Sequence, residues 1–301
     1  MSDVLIIGAQ NIDIFAKSNS DYSLHDSNLA KIHIAFGGVG RNIVENVQRL
    51  ENNVHFITVF GDDYFSRSAY SSLEEMGVNL SESLKLKNES NSVYLGVMDK
   101  DNDLFIGLND MEITNNLNKE FFETKKEFIN KFDVIVIDNN LSEETLHYLL
   151  STYQDKTIVM DAVSAHKVVK LKNHLSYISV LKLNQIELNE LTMETEVINQ
   201  INELHLKGAN TLLITNQDKD VILSKKEKRE VITPLKHDNI INATGAGDAF
   251  LSGYVHGMLK GVTDMEKLKF AVKVAYITLS SNNSTSELLN IEEVNKLWKI
   301  I

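Results

Sequence analysis

Asp248 sits in a setting that is hard to explain for a carboxylate with no chemical task. It closes the run Asn242-Ala243-Thr244-Gly245-Ala246-Gly247-Asp248, directly ahead of the apolar helical stretch Ala249-Phe250-Leu251. Gly-Ala-Gly at the start of a helix leaves backbone N–H groups uncovered, and the helix dipole adds partial positive charge there. Such a nest attracts an anion, and an acidic side chain inside it competes with that anion. The two fit together if Asp248 takes the proton from a hydroxyl that attacks phosphorus. The amides of Gly245, Ala246 and Gly247 then stabilise charge on the phosphoryl oxygens. Read alone, Gly-x-Gly-Asp also describes an ordinary acidic helix start.

Two further segments carry oxygen and amide chemistry. In Leu181-Lys182-Leu183-Asn184-Gln185-Ile186-Glu187 a strand ends in Asn-x-x-Glu at a helix start. Asn184 and Glu187 share a helix face, and oxygen ligands with room for water suit Mg²⁺. The same spacing makes a helix capping box. In Phe36-Gly37-Gly38-Val39-Gly40-Arg41-Asn42 three glycines precede a helix. They let the backbone approach a ligand closely, with Asn42 placed to hydrogen-bond a hydroxyl. The Lys-Ser/Thr pair of a P-loop is missing, as are the spacing and acidic partner of a dinucleotide fingerprint.

The elements that must position these residues alternate along the chain. Short apolar runs at 4–8, 54–60, 133–138, 157–161, 180–183 and 211–215 read as strands, with helical patterns between them. Ile43, Val47 and Leu50 share one helix face, as do Leu251, Tyr254 or Val255, and Met258. This is the pattern of a mainly parallel sheet covered by helices. Segments 93–97 and 104–108 alternate with period two around an acidic turn at 99–103, and 12–16 and 31–36 look similar. They predict antiparallel strands, either in a small separate sheet over a site or at the edge of the main sheet.

Composition narrows the class. Thirty Lys and Arg against 42 Asp and Glu leave a net charge of −12, which argues against nucleic acid or an acidic membrane surface as partner. The absence of cysteine removes disulfides, thiolate metal sites and cysteine nucleophiles, and fits a reducing cytoplasm. No apolar run is long enough for a transmembrane helix, and the acidic start leading straight into a strand does not read as a signal peptide.

In combination and in this order, the three motifs on an alternating chain of 301 residues resemble the PfkB or ribokinase-like carbohydrate kinase family, over essentially the whole length. The segments 7–13, 37–43, 109–111, 163–167 and 242–249 are most similar to the branch of that family that acts on pseudouridine. The resemblance implies one domain over 1–301: a three-layer α/β/α core with a mainly parallel sheet, and a small β-sheet lid from about 12–36 and 92–109. It implies ATP-dependent phosphorylation of a ribose 5′-hydroxyl, with Asp248 as base and Thr244 to Gly247 as anion hole. Asn184 and Glu187 would organise Mg²⁺ through water beside ATP, and Asn184, Thr215, Thr244, Gly245 and Gly247 would line the nucleotide. Asn11, Asp13, Gly37, Gly38 and Asn42 match the positions that hold sugar hydroxyls. Asn109 and Asp110 would reach the base edge, or are simply exposed loop residues. Lys167 would touch a phosphate or be a solvated helix lysine, of which the second is the simpler expectation. The family's habit implies a cytoplasmic homodimer paired through its lids.

Three departures stand against the family pattern. Thr215 to Asp220 reads Thr-Asn-Gln-Asp-Lys-Asp, without the two glycines of the usual Thr-x-Gly-x-x-Gly. Asn242 replaces the acidic residue associated with a monovalent cation such as K⁺, which weakens that site by one charge. Ala162 follows Asp161 where proline is usual. The residues also admit the same transfer to ribose, fructose or another nucleoside, and a catalytically silent ligand-binding relative.

Overall fold

A computed structural model describes residues 3–101 and 103–297. The chain opens with β1 (Asp3–Ile7), β2 (Asn11–Lys17), β3 (Lys31–Gly37), α1 (Val39–Arg49), β4 (Asn53–Ile57), β5 (Val59–Phe60), α2 (Tyr64–Glu75) and β6 (Leu84–Lys85). It continues through β7 (Val93–Met98), β8 (Leu104–Asp110), α3 (Lys119–Thr124), α4 (Lys126–Ile129), β9 (Val134–Asp138), α5 (Glu143–Thr152), β10 (Thr157–Asp161) and α6 (Ala165–Val168). The remainder is β11 (Val180–Asn184), α7 (Gln185–Leu191), α8 (Val197–Leu206), β12 (Thr211–Thr215), β13 (Val221–Lys225), β14 (Lys228–Ile232), α9 (Ala246–Leu259), α10 (Asp264–Thr278) and α11 (Ile291–Lys296).

Eight strands form the main sheet in the order β14-β13-β12-β11-β10-β9-β1-β4. The six from β12 to β4 are parallel, and β13 and β14 add an antiparallel edge that the sequence reading did not anticipate. Strand β1 sends Leu5 and Ile7 into one core and Val4 and Ile6 into the other, all fully buried. A parallel sheet covered on both faces needs apolar residues at every position, which is why these strands read as unbroken runs rather than alternating ones. From β1 the chain winds outward in both directions, so the crevice beyond the carboxyl ends of β1 and β9 lies at a switch point where ligands gather in such sheets.

The smaller sheet is separate from the main one, with order β3-β2-β7-β8. Strands β2 and β3 are antiparallel, as are β7 and β8, and β2 joins the two hairpins in parallel. The single strand expected over 54–60 breaks at Thr58 into β4 and β5, and β5 pairs with β6 in a two-stranded sheet. Among the described residues no helix is long and apolar enough to cross a membrane.

Candidate active site

The glycine loop before α1 is held by a residue that the motifs did not reveal. Asp138, at the carboxyl end of β9, is fully buried, and its Oδ2 accepts the N–H groups of Ala9 and Gly40, each at 2.8 Å. Its Oδ1 accepts the Asn140 N–H at 2.9 Å. Burial holds this carboxyl above its usual range in spite of the hydrogen bonds from Asn140 and Ala9. Gly38 takes φ 96°, a conformation that a side chain disfavours, and a Cβ there would stand 2.8 Å from Asn11 Oδ1. Gly37 is glycine because any side chain would overlap the Asp13 carboxylate.

Asn11 and Asp13 lie on β2 against this loop, joined by a hydrogen bond from Asn11 Nδ2 to Asp13 Oδ1 at 2.5 Å. Burial pushes the Asp13 carboxyl up to about 6, opposed by Asn11 and by the positive field of Arg41. Arg41 is buried, with an ion pair to Glu45 at 2.8 Å and its guanidinium 4.8 Å from the centre of the Phe36 ring. A carboxylate beside the Asn11 amide can accept hydrogen bonds from vicinal hydroxyls.

The first turn of α1 reaches α9 through a side-chain hydrogen bond that spans 206 residues. Asn42 Nδ2 donates to Asp248 Oδ2 at 2.8 Å. Asp248 lies in the first turn of α9 and is 8% exposed. Burial, then the charge of Asp161, push its carboxyl up to about 7, against Lys182 and the Asn42 hydrogen bond. Gly245 starts the helix at φ 82°, and a side chain there would collide with the Ser284 carbonyl. The Ala246 N–H, one of the amides expected to face an anion, is directed instead to the Ala243 carbonyl at 3.3 Å. Asn242 accepts the Thr244 N–H at 2.8 Å and donates to the Asn282 carbonyl at 3.1 Å, tying the approach to α9 to the 280–286 loop. An aspartate could make the first of these bonds but not the second.

Asn184 and Thr215 are register partners at the carboxyl ends of β11 and β12. Asn184 caps α7, and its capping box with Glu187 is complete: Glu187 N–H to Asn184 Oδ1 at 2.9 Å, and Asn184 N–H and Nδ2 to the two Glu187 oxygens at 2.8 and 2.9 Å. With these oxygens already engaged, the pair fits a hydrated Mg²⁺ held through its water shell rather than by direct ligation. The turn after Thr215 keeps a left-handed residue without glycine, Gln217 at φ 51°. Lys182 and Asp161 complete this side as a buried ion pair at 3.0 Å. A charged residue inside Leu181-Lys182-Leu183 was the sequence signal that could have drawn attention to it.

At the outer end of the crevice, Asn109 stands on β8 over a cavity of about 320 Å³ lined also by Met111, Thr114, Asn140 and Lys167. Asp110 follows Asn109 in the strand and pairs with Val93, so both belong to the sheet rather than to a free loop. The expectation of a solvated Lys167 is corrected: it is half-buried, donates to Asn140 Oδ1 and lines the cavity, because the loop after β9 reaches α6, where Asn139 Nδ2 donates to the Lys167 carbonyl at 2.8 Å. A wider depression of about 480 Å³ at the turn between β13 and β14 holds none of these residues.

The fold, the glycine loop and the Gly-Ala-Gly-Asp helix start together define a phosphotransferase with an alcohol acceptor. Residues 1–290 match the model of the pfkB family of carbohydrate kinases, and the chain belongs to that family. Within it, the chain is a sugar or nucleoside kinase. It is 31% identical to the pseudouridine kinase of Escherichia coli (strain K12), over 98% of this chain and 96% of that one. It is 25% identical to the guanosine-inosine kinase of Exiguobacterium acetylicum, over 96% and 99%. A crystal structure of a putative sugar kinase from Clostridium perfringens superposes with a TM-score of 0.87 at 26% identity, covering 99% of this chain and 96% of that chain.

Proposed function

We propose that the chain transfers the γ-phosphoryl group of ATP to the ribose 5′-hydroxyl of pseudouridine. The observation that carries the transfer is the Asn42–Asp248 hydrogen bond, which joins the loop suited to a sugar to the carboxylate suited to a base. Asp13, Asn11 and Asn42 hold the ribose hydroxyls, with Gly37 and Gly38 giving the close backbone approach. Asp248 takes the 5′-hydroxyl proton as the oxygen forms its bond to phosphorus. The bridging P–O bond of ATP breaks, and ADP leaves with that electron pair. The first turn of α9, with Thr244, Gly245 and Gly247, faces the phosphoryl oxygens. Asn184 and Glu187 would hold Mg²⁺ through water, where it would supply charge neutralisation on the nucleotide phosphates. Thr215 lies beside Asn184 for the same nucleotide.

The smaller sheet serves as a lid that excludes water from the transfer. Its outward Ile32, Ile34, Leu104, Ile106 and Leu108 are exposed, and an apolar face of this kind supports pairing of two chains through their lids. Pseudouridine as acceptor is supported by the similarity over nearly the whole length and by the polar cavity around Asn109, Asn140 and Lys167. An assay of ADP release with Mg-ATP and a panel of pseudouridine, uridine, inosine, ribose and fructose tests both parts. Fastest turnover on pseudouridine is expected. Equal rates on uridine would remove the substrate assignment, and no turnover on any compound would favour a silent relative.

A further inference from the structure

We propose that Lys182 is a further residue of the phosphoryl-transfer site: a fixed ammonium beneath Gly247 that faces the γ-phosphoryl group. This rests on the kinase reading above.

The side chain of Lys182 is 7% exposed and that of Asp161 1%. Burying a lysine in the centre of a parallel sheet costs stability unless a counter-charge accompanies it. Asp161 supplies that charge from the adjacent strand at the same register. It is itself held still: its Oδ1 accepts the Val163 N–H at 2.7 Å. Val163 adopts φ 71°, a conformation that costs a β-branched residue on the order of 1–3 kcal/mol. The backbone strain is therefore placed where it aims the Asp161 carboxylate at Lys182. The alanine at 162 contributes as well, because its N–H donates to the Lys182 carbonyl at 3.3 Å, a bond that proline could not make.

A counter-ion role alone would leave the direction of the ammonium without consequence. The direction is specific: a Cβ on Gly247 would lie 2.7 Å from Lys182 Nζ. Glycine at 247 therefore leaves room for the ammonium at the first turn of α9, where the helix dipole and uncovered N–H groups already favour an anion. An ammonium carries three N–H groups, and among the described residues Asp161 is its one ion-pair partner, so donors remain for an incoming oxygen. The transferred phosphoryl group spreads its charge over three oxygens, and a cation placed in advance stabilises that charge without reorganising.

The test uses Lys182→Met and the double variant Asp161→Asn/Lys182→Met, in which no buried charge is left unpaired. Both are measured for kcat, for the acceptor KM, and by calorimetry for affinity to ADP and to the non-hydrolysable ATP analogue AMP-PNP. The expected result is a kcat lower by about 10²- to 10³-fold in both variants, with the acceptor KM within about threefold of wild type. Affinity for AMP-PNP should fall by about tenfold while that for ADP is unchanged, since only the analogue presents a γ-phosphoryl group. If the double variant turns over within about threefold of wild type, or the two nucleotides lose affinity together, Lys182 is only the counter-ion of Asp161 and the proposal fails. A wild type that prefers AMP-PNP but phosphorylates nothing in the panel would sink the kinase reading and leave the Lys182 comparison decisive. A wild type that binds neither nucleotide sinks both.

Discussion

Asp138 and Asp161 end neighbouring parallel strands at the same register, and both are buried, yet they are neutralised in different ways. Asp138 receives backbone N–H groups from Ala9, Gly40 and Asn140 and so pins the main chain around the glycine loop. Asp161 receives one N–H and an ammonium, and so fixes a cation beside the first turn of α9. Carboxylate–amide bonds specify the path of a loop, whereas an ion pair delivers charge to a point. The same residue type therefore builds a shaped half and an electrostatic half, and Asp248 stands where they meet, bonded to Asn42 from one and close in charge to Lys182 in the other.

The largest expected effect is at that junction. Asp248→Asn should lower turnover by about 10²- to 10⁴-fold, the usual worth of a general base; near-normal turnover would remove Asp248 from the role. The variant should fold. The folded-state pKa is raised to about 7 from 3.8, so the native chain binds the proton more tightly and loses stability as pH rises through that interval. Removing the ionisable group removes that loss, so a urea titration at pH 8 should find the variant at least as stable as wild type, with its advantage shrinking below pH 7.

A smaller effect separates the two halves. Asp138→Ala leaves buried N–H groups without acceptors and should cost about 2–4 kcal/mol in a urea titration. It should also raise the acceptor KM about tenfold with less change in kcat. Asp161→Ala should do the reverse, lowering kcat about tenfold at a nearly constant acceptor KM, since it frees Lys182 without touching the glycine loop. An exchange of these two patterns would dissolve the division into halves.

The mildest probe is pH. Asp248 is a base only when ionised, so kcat should fall as pH drops through about 7. Asp13 accepts hydroxyl hydrogen bonds best when ionised, so the acceptor KM should rise only below about 6. Profiles of kcat and kcat/KM from pH 5 to 9 would distinguish two limbs from one; coincident limbs would mean that the two carboxyls titrate together.

Local chemistry made part of this site visible in advance. Gly245 to Asp248 and Gly37 to Asn42 are contiguous, so their helix starts and uncovered amides follow from neighbours in the chain. The Asn184–Glu187 capping box is legible for the same reason. Lys167 was misjudged because its cavity is made by β8 and by the loop after β9, not by its own helix. Asp138 and Lys182 went unnoticed because each acquires its meaning from a partner on another strand or loop, which depends on strand order and register.

By itself the sequence determined the alternation of apolar strands and helices, and its ordered motifs the family resemblance and the glycine-rich helix starts, because each depends on periodicity or on adjacent residues. Only the tertiary structure decided which buried carboxylate grips a loop and which holds a lysine, and that Asn42 reaches Asp248. Those outcomes turn on distances of about 3 Å between groups far apart in the chain, which only the packed sheet sets.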